Sequence, residues 1–112
     1  MDDSRKSSFE EERERLQQGL IDFAGTGMKR FLALDHQAYL DGALPARTKE
    51  LLGLVASAVL RCDDCVCYHL VQCRKSGVSD AELEEALNVA LIVGGSITIP
   101  HLRRAVAFWK DL

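Results

Sequence analysis

No stretch of this 112-residue chain is apolar for long enough to span a membrane, so a transmembrane helix is excluded as its organising feature. The opening Met-Asp-Asp-Ser-Arg-Lys lacks the apolar core of a signal peptide. Excess basic charge is missing too. Fourteen Lys and Arg face 17 Asp and Glu, for a net charge of −3, which gives no reason to expect a nucleic-acid surface. Internal repeats and low-complexity tracts are absent. So is any strand signal: Ile97-Thr98-Ile99 is β-branched but too short to build a sheet. What remains is a single all-α domain in a cytoplasmic, reducing setting, with apolar residues at 47% and charged residues at 28%, enough for a packed core. In such a setting a Cys-x-x-Cys pair more often serves redox or metal chemistry than permanent cross-linking.

About six helices are expected. Residues 1–8 read as a polar, disordered lead, and residues 9–112 as the domain. Ser7 with Glu10, or Ser8 with Glu11, could cap a first helix reaching Phe23, and the acidic, arginine-rich stretch Glu10–Arg15 reads as its solvated face. Gly25-Thr26-Gly27 breaks that helix, and Thr26 could cap the next. Met28, Phe31, Leu32, Leu34, Ala38 and Tyr39 form the apolar stripe of a second helix ending near Asp41-Gly42. Leu44-Pro45 opens a third, apolar on nearly all sides from Leu51 to Leu60, with only Gly53 and Ser57 interrupting. Gly77 stops a fourth. Ser79 and Glu82 form a capping box for a fifth, which is apolar on most faces up to Gly94-Gly95. Pro100 starts a sixth, with Leu102, Val106, Phe108 and Trp109 inside or at an interface, and Arg103 and Arg104 on a solvated face. Two helices apolar on most sides are hard for a small domain to cover alone, so homo-oligomerisation is expected.

Residues 62–69 read Cys-Asp-Asp-Cys-Val-Cys-Tyr-His, in a chain with four cysteines and three histidines. On a helix starting near Cys62, Cys65 lies at i+3 and His69 four residues further on, all on one face. Cys62 and Cys65 then sit where unpaired backbone N–H groups and the helix dipole favour an anionic sulfur. His69 can add charge or shuttle a proton. Asp63 and Asp64 suit a helix N-terminus but oppose a neighbouring thiolate. Cys73 and Cys67 read as small buried hydrophobes. Glu50 lies twelve residues before Cys62, about 18 Å of helix rise, and reaches the cysteines only if packing brings it there. Spacing alone leaves it a first-turn acid.

Leu44-Pro45-Ala46-Arg47-Thr48-Lys49-Glu50-Leu51-Leu52 is followed by Cys62-x-x-Cys65-x-x-x-His69, then by Arg74-Lys75-Ser76-Gly77-Val78-Ser79-Asp80, Glu82 and Gly94-Gly95-Ser96. Over this stretch, Leu44 to about Asp111, the chain resembles the carboxymuconolactone decarboxylase superfamily, in particular its AhpD-like alkylhydroperoxidase branch. The resemblance implies an all-helical fold assembling as trimers or hexamers, and reduction of hydroperoxides without cofactor or metal. It implies Cys65 as the peroxidatic thiolate and Cys62 as the resolving partner, joined in a reversible disulfide. Glu50 and His69 form the implied proton relay, and a dithiol, lipoyl or thioredoxin-like reductant reopens the bridge. Where that branch has a histidine before the second cysteine, this chain has Asp64, which enters as a further site candidate. The decarboxylases of the superfamily typically lack the cysteine pair.

Two other readings compete. Cys62, Cys65, His69 and one of Cys67 or Cys73 could supply four zinc ligands, although they crowd one helix and do not converge tetrahedrally. A non-redox scaffold carrying a remnant cysteine pair is the other. A mainly apolar pocket is expected around Cys62, Cys65 and His69. His36 reads as a surface or interface residue, and His101 as a first-turn histidine that could border the site.

Overall fold

The computed structural model describes residues 4–112, with side chains from Ser8 onward. Its elements are α1 (Ser4–Phe23), α2 (Thr26–Ala38), α3 (Ala46–Val59), α4 (Asp63–Lys75), α5 (Asp80–Gly94), a 3₁₀ turn (Ser96–Thr98) and α6 (Ile99–Lys110), and no strand occurs among the described residues. The all-α expectation and the six helices hold. Among the described residues no helix is long and apolar enough to cross a membrane.

Several boundaries move. Helix α1 begins at Ser4, ahead of both anticipated capping boxes, so neither marks its first turn. The side chain of Ser7, and residues 1–3 of the expected polar lead, lie outside the described residues. Gly25, not Thr26, is the N-cap of α2, and the helix stops at Ala38 with Tyr39 as C-cap. Pro45 caps α3 from outside instead of sitting in its first turn. The Ser79–Glu82 capping box forms as expected, each side chain bonding the other residue's backbone N–H.

Helices α3 and α4 end alike. At α4, Gly77 takes φ 81° and Val78 N–H bonds back to the Cys73 carbonyl, a left-handed cap. At α3, Arg61 takes φ 62°, its N–H bonds to Ala58 and that of Cys62 to Ser57. A glycine announces the first of these turns in the sequence. An arginine does not announce the second, and that turn delivers the chain directly into Cys62.

The core lies among α3, α4, α5 and α6, with Leu54, Leu70, Val71 and Cys73 fully enclosed or nearly so and Phe108 and Trp109 sealing one end. Helix α1 reaches it through Phe9, edge-on to Phe108 with ring centres 5.7 Å apart. Helix α2 buries none of its residues: Met28, Phe31 and Leu34 all stay exposed. The expectation that α3 and α5 are enclosed on most sides fails for the single chain. Leu52, Leu60, Val89, Ile92 and Val93 face outward, because each helix has neighbours on only part of its circumference.

Candidate active site

Helix α4 starts where the cysteine pair requires. Cys62 is its N-cap, in extended backbone conformation, and its sulfur accepts a hydrogen bond from the Cys65 backbone N–H at 3.3 Å. Cys62 and Cys65 are joined as a disulfide, with Cα atoms 5.3 Å apart. A sulfur at this position faces the open N–H groups of the first turn, which stabilise a thiolate once the bridge is reduced.

One turn further on, His69 is buried at 7% exposure, against Glu50 of α3 at 8%. The Glu50 carboxylate accepts from His69 Nδ1–H at 2.8 Å. The α3–α4 hairpin thus brings Glu50 from twelve residues upstream into the site, because the two helices pack side by side and set Glu50, in the first half of α3, against His69 at the middle of α4. A carboxylate on Nδ1 fixes the tautomer that leaves Nε2 as a base.

Gly53 makes the ring's position available. A Cβ there would lie 2.6 Å from His69 Cε1 and 2.8 Å from Nε2, and 2.7 Å from the Tyr39 hydroxyl. Tyr39 and Tyr68 flank the imidazole, each with ring centres 5.3 Å from it. Both phenols are pushed above the ordinary tyrosine range, first by burial and then by the negative charge of Glu50 and Asp35. Arg13 of α1 lies over the Tyr68 ring at 4.1 Å; it is not merely part of a solvated face.

Cys65 and His69 open onto one cavity of about 200 Å³, shared with Arg13, Asp35, Tyr39, Asp64 and Tyr68. The anticipated apolar pocket is therefore a charged one, because α1 and the C-terminal half of α2 fold across it and contribute polar side chains. An adjoining cavity of about 330 Å³ includes Glu50, His36 and Gln72. Sequence spacing found Cys62, Cys65 and His69. It missed Tyr39, Gly53, Asp35 and Arg13, whose only relation to the cysteines is tertiary.

The remaining candidates sort themselves by contact. Asp63 is gripped by His101 Nδ1 at 2.7 Å and Arg104 Nε at 2.8 Å, and none of the three lines the Cys65 cavity. Partial burial pushes Asp63 upward, but the hydrogen bonds and charges of His101 and Arg104 outweigh it and hold its carboxyl below the usual range. Cys73 is fully enclosed, and burial pushes its thiol up to about 12. Cys67 is partly buried against the core. No group of three or more His, Cys, Asp or Glu among the described residues converges as a metal site.

Comparison with known proteins points one way. The model of the carboxymuconolactone decarboxylase family matches residues 26–108. An uncharacterized protein of the cox locus of Paracoccus denitrificans is 32% identical over 82 residues, covering 73% of this chain and 74% of the relative. The crystal structure of TM1620 from Thermotoga maritima superposes with a TM-score of 0.91 at 54% identity, covering 93% of this chain and 91% of that one. A second crystal structure of it, TM-score 0.87 at 55% identity over 93% and 88% of the two chains, describes a carboxymuconolactone decarboxylase family protein with possible involvement in an antioxidative response. A Legionella pneumophila member, 23% identical over 96% of each chain, shares the fold with a TM-score of 0.86.

Proposed function

The chain belongs to the carboxymuconolactone decarboxylase family, and on that premise we propose that it is a cytoplasmic thiol-dependent hydroperoxide reductase working through Cys65 and Cys62. The observation that carries the reading is the meeting of a Cys62–Cys65 bridge at the start of α4 with a buried pair between His69 of α4 and Glu50 of α3, with Cys65 and His69 on a shared cavity.

In the proposed cycle, the Cys65 thiolate attacks the terminal peroxide oxygen. The O–O bond breaks, Cys65 becomes a sulfenic acid, and the alkoxide leaves as an alcohol after taking a proton. Cys62 then attacks the Cys65 sulfur and water departs, giving the disulfide. A dithiol such as a lipoyl group or a thioredoxin-like protein reduces the bridge by exchange and is itself oxidised. His69 Nε2 is the base that accepts the thiol proton, and Glu50 stabilises the imidazolium that results. We further propose assembly with other copies of the chain, as a trimer or hexamer, supported by the outward apolar faces of α2 and α5.

The test is intact-mass spectrometry of the reduced protein before and after one equivalent of cumene hydroperoxide, with peptide mapping. Loss of two hydrogens localised to Cys62–Cys65 and reversed by dithiothreitol is expected. Cys65→Ser should abolish peroxide turnover, and substantial residual turnover would refute the assignment. Glu50→Gln should slow turnover by about tenfold or more while assembly persists. Asp64, beside the nucleophile, favours one alternative, a non-redox scaffold. Four unreacted thiols, with assembly indifferent to Cys65→Ser, would establish that instead.

A further inference from the structure

We propose that the Cys65 cavity discriminates by charge, admitting small uncharged electrophiles and rejecting anionic ones, with Asp35 and Asp64 as the specificity-determining residues. This deepens the peroxidase reading by naming its substrate class, a neutral organic hydroperoxide in preference to a carboxylate-bearing one.

The charges around the cavity do not cancel. Asp35 from α2 and Asp64 from the first turn of α4 both line it, with Arg13 the one lining cation among the described residues. Arg13 lies over the Tyr68 face, and its one positive charge is set against the two acids. Asp63, the other acid of that first turn, is ion-paired with Arg104 and hydrogen-bonded to His101. Neither Asp35 nor Asp64 has an ion-pair or hydrogen-bond partner among the described residues. Behind His69 stands a third carboxylate, Glu50. Both flanking tyrosines are displaced upward, first by burial and next by the charge of Glu50, with Asp35 a smaller contributor and Arg13 opposing it at Tyr68. An entering anion meets like charges within a small volume. A neutral molecule meets the same lining without that repulsion.

The two acids also bear on Cys65 itself, since negative charge disfavours a thiolate. That effect is common to every reagent and cancels in a ratio of rates. Reduced protein is therefore treated with iodoacetamide, which is neutral, and separately with iodoacetate, its anionic analogue. The alkylation rate at Cys65 is read by tandem mass spectrometry of the Cys62–Cys65 peptide. The same ratio measured in urea supplies the intrinsic preference.

Folded protein should favour the amide about fivefold more than unfolded protein does, and the preference should shrink as salt is raised. Asp35→Asn and Asp64→Asn should each lower the ratio, and together bring it near the unfolded value. A folded ratio equal to the unfolded one, or in favour of iodoacetate, would overturn the proposal. So would a ratio that Asp35→Asn and Asp64→Asn leave unmoved.

Cumene hydroperoxide and its para-carboxylate, assayed for turnover with dithiothreitol, separate this proposal from the one it rests on. Selective alkylation with no turnover of either peroxide would remove the peroxidase assignment and leave the charge selection standing. Turnover of both peroxides at equal kcat/KM, with unselective alkylation, would do the reverse.

Discussion

At the scale of single residues, the site depends on a side chain that is not there. Gly53 reads in the sequence as a break in an apolar run. In the structure it is the gap that admits the His69 ring, with Tyr39 closing the other side. The ring cannot simply swing away, because Glu50 holds Nδ1 at 2.8 Å. Gly53→Ala should therefore have split effects. Alanine gains about 1 kcal/mol of helix propensity over glycine, which offsets part of the local clash, so the melting temperature should change little. The displaced imidazole should lower kcat/KM about tenfold or more, with a shifted pH profile. Unaltered kinetics would show that His69 has room to spare. Cys73 gives the opposite case, a residue whose fate was legible from composition alone. Enclosed in the core, with its thiol raised to about 12, it should resist iodoacetamide at pH 8 in native protein and react only on unfolding. Native alkylation at Cys73 would contradict its burial.

At the scale of elements, helix periods and caps were readable where the signal is local. The Ser79–Glu82 box and the Gly77 stop stand where spacing placed them. The Ser7 and Ser8 boxes do not, because the chain stays helical as far back as Ser4 and competing caps of similar strength cannot be ranked from sequence. The turn at Arg61 left no trace, since arginine rarely takes a left-handed conformation and does so here under the constraint of two packed helices. Arg61→Gly should relieve that conformation and stabilise the fold by up to about 1 kcal/mol in denaturant titration. A destabilised variant would show that the arginine side chain contributes more than its backbone costs. Glu82 adds a pH-dependent contribution. The Arg47 guanidinium first, and the Ser79 backbone N–H next, hold its carboxyl at about 2 against an ordinary 4.5. Since the folded carboxyl titrates lower than the unfolded one, its contribution is complete above about pH 4.5 and fades as pH falls toward 2. The melting temperatures of the native chain and Glu82→Gln should differ at pH 6 and converge near pH 2. A gap that persists in acid would mean that the glutamate acts by shape and not by charge.

For the whole molecule, periodicity named the right apolar helices but could not say which side of each faces the core, because that depends on topology. The two helices expected to be enclosed, α3 and α5, prove half open: Leu52 on α3 is 55% exposed and Ile92 on α5 is 80% exposed. On α2, Phe31 is 68% exposed, with Leu34 beside it in character. The radius of gyration, 14.6 Å, exceeds the roughly 13 Å of a closed domain of this length. Helix α2 buries nothing and yet carries Tyr39 and Asp35 to the cavity at its C-terminal end. A helix that shapes a site cannot remain loosely held, and covering it with another copy supplies what the single chain lacks. Each large apolar side chain so covered gains about 1.5–3 kcal/mol. Light scattering should therefore give a mass that is a multiple of 12.4 kDa. The double variant Phe31→Asp with Ile92→Asp should fall to the monomer while keeping its helical circular dichroism, since neither residue belongs to the core. Its peroxide turnover should fall with it, because α2 is then free to carry Asp35 and Tyr39 away from the sulfur. A wild-type monomer with full turnover would break the link between assembly and site.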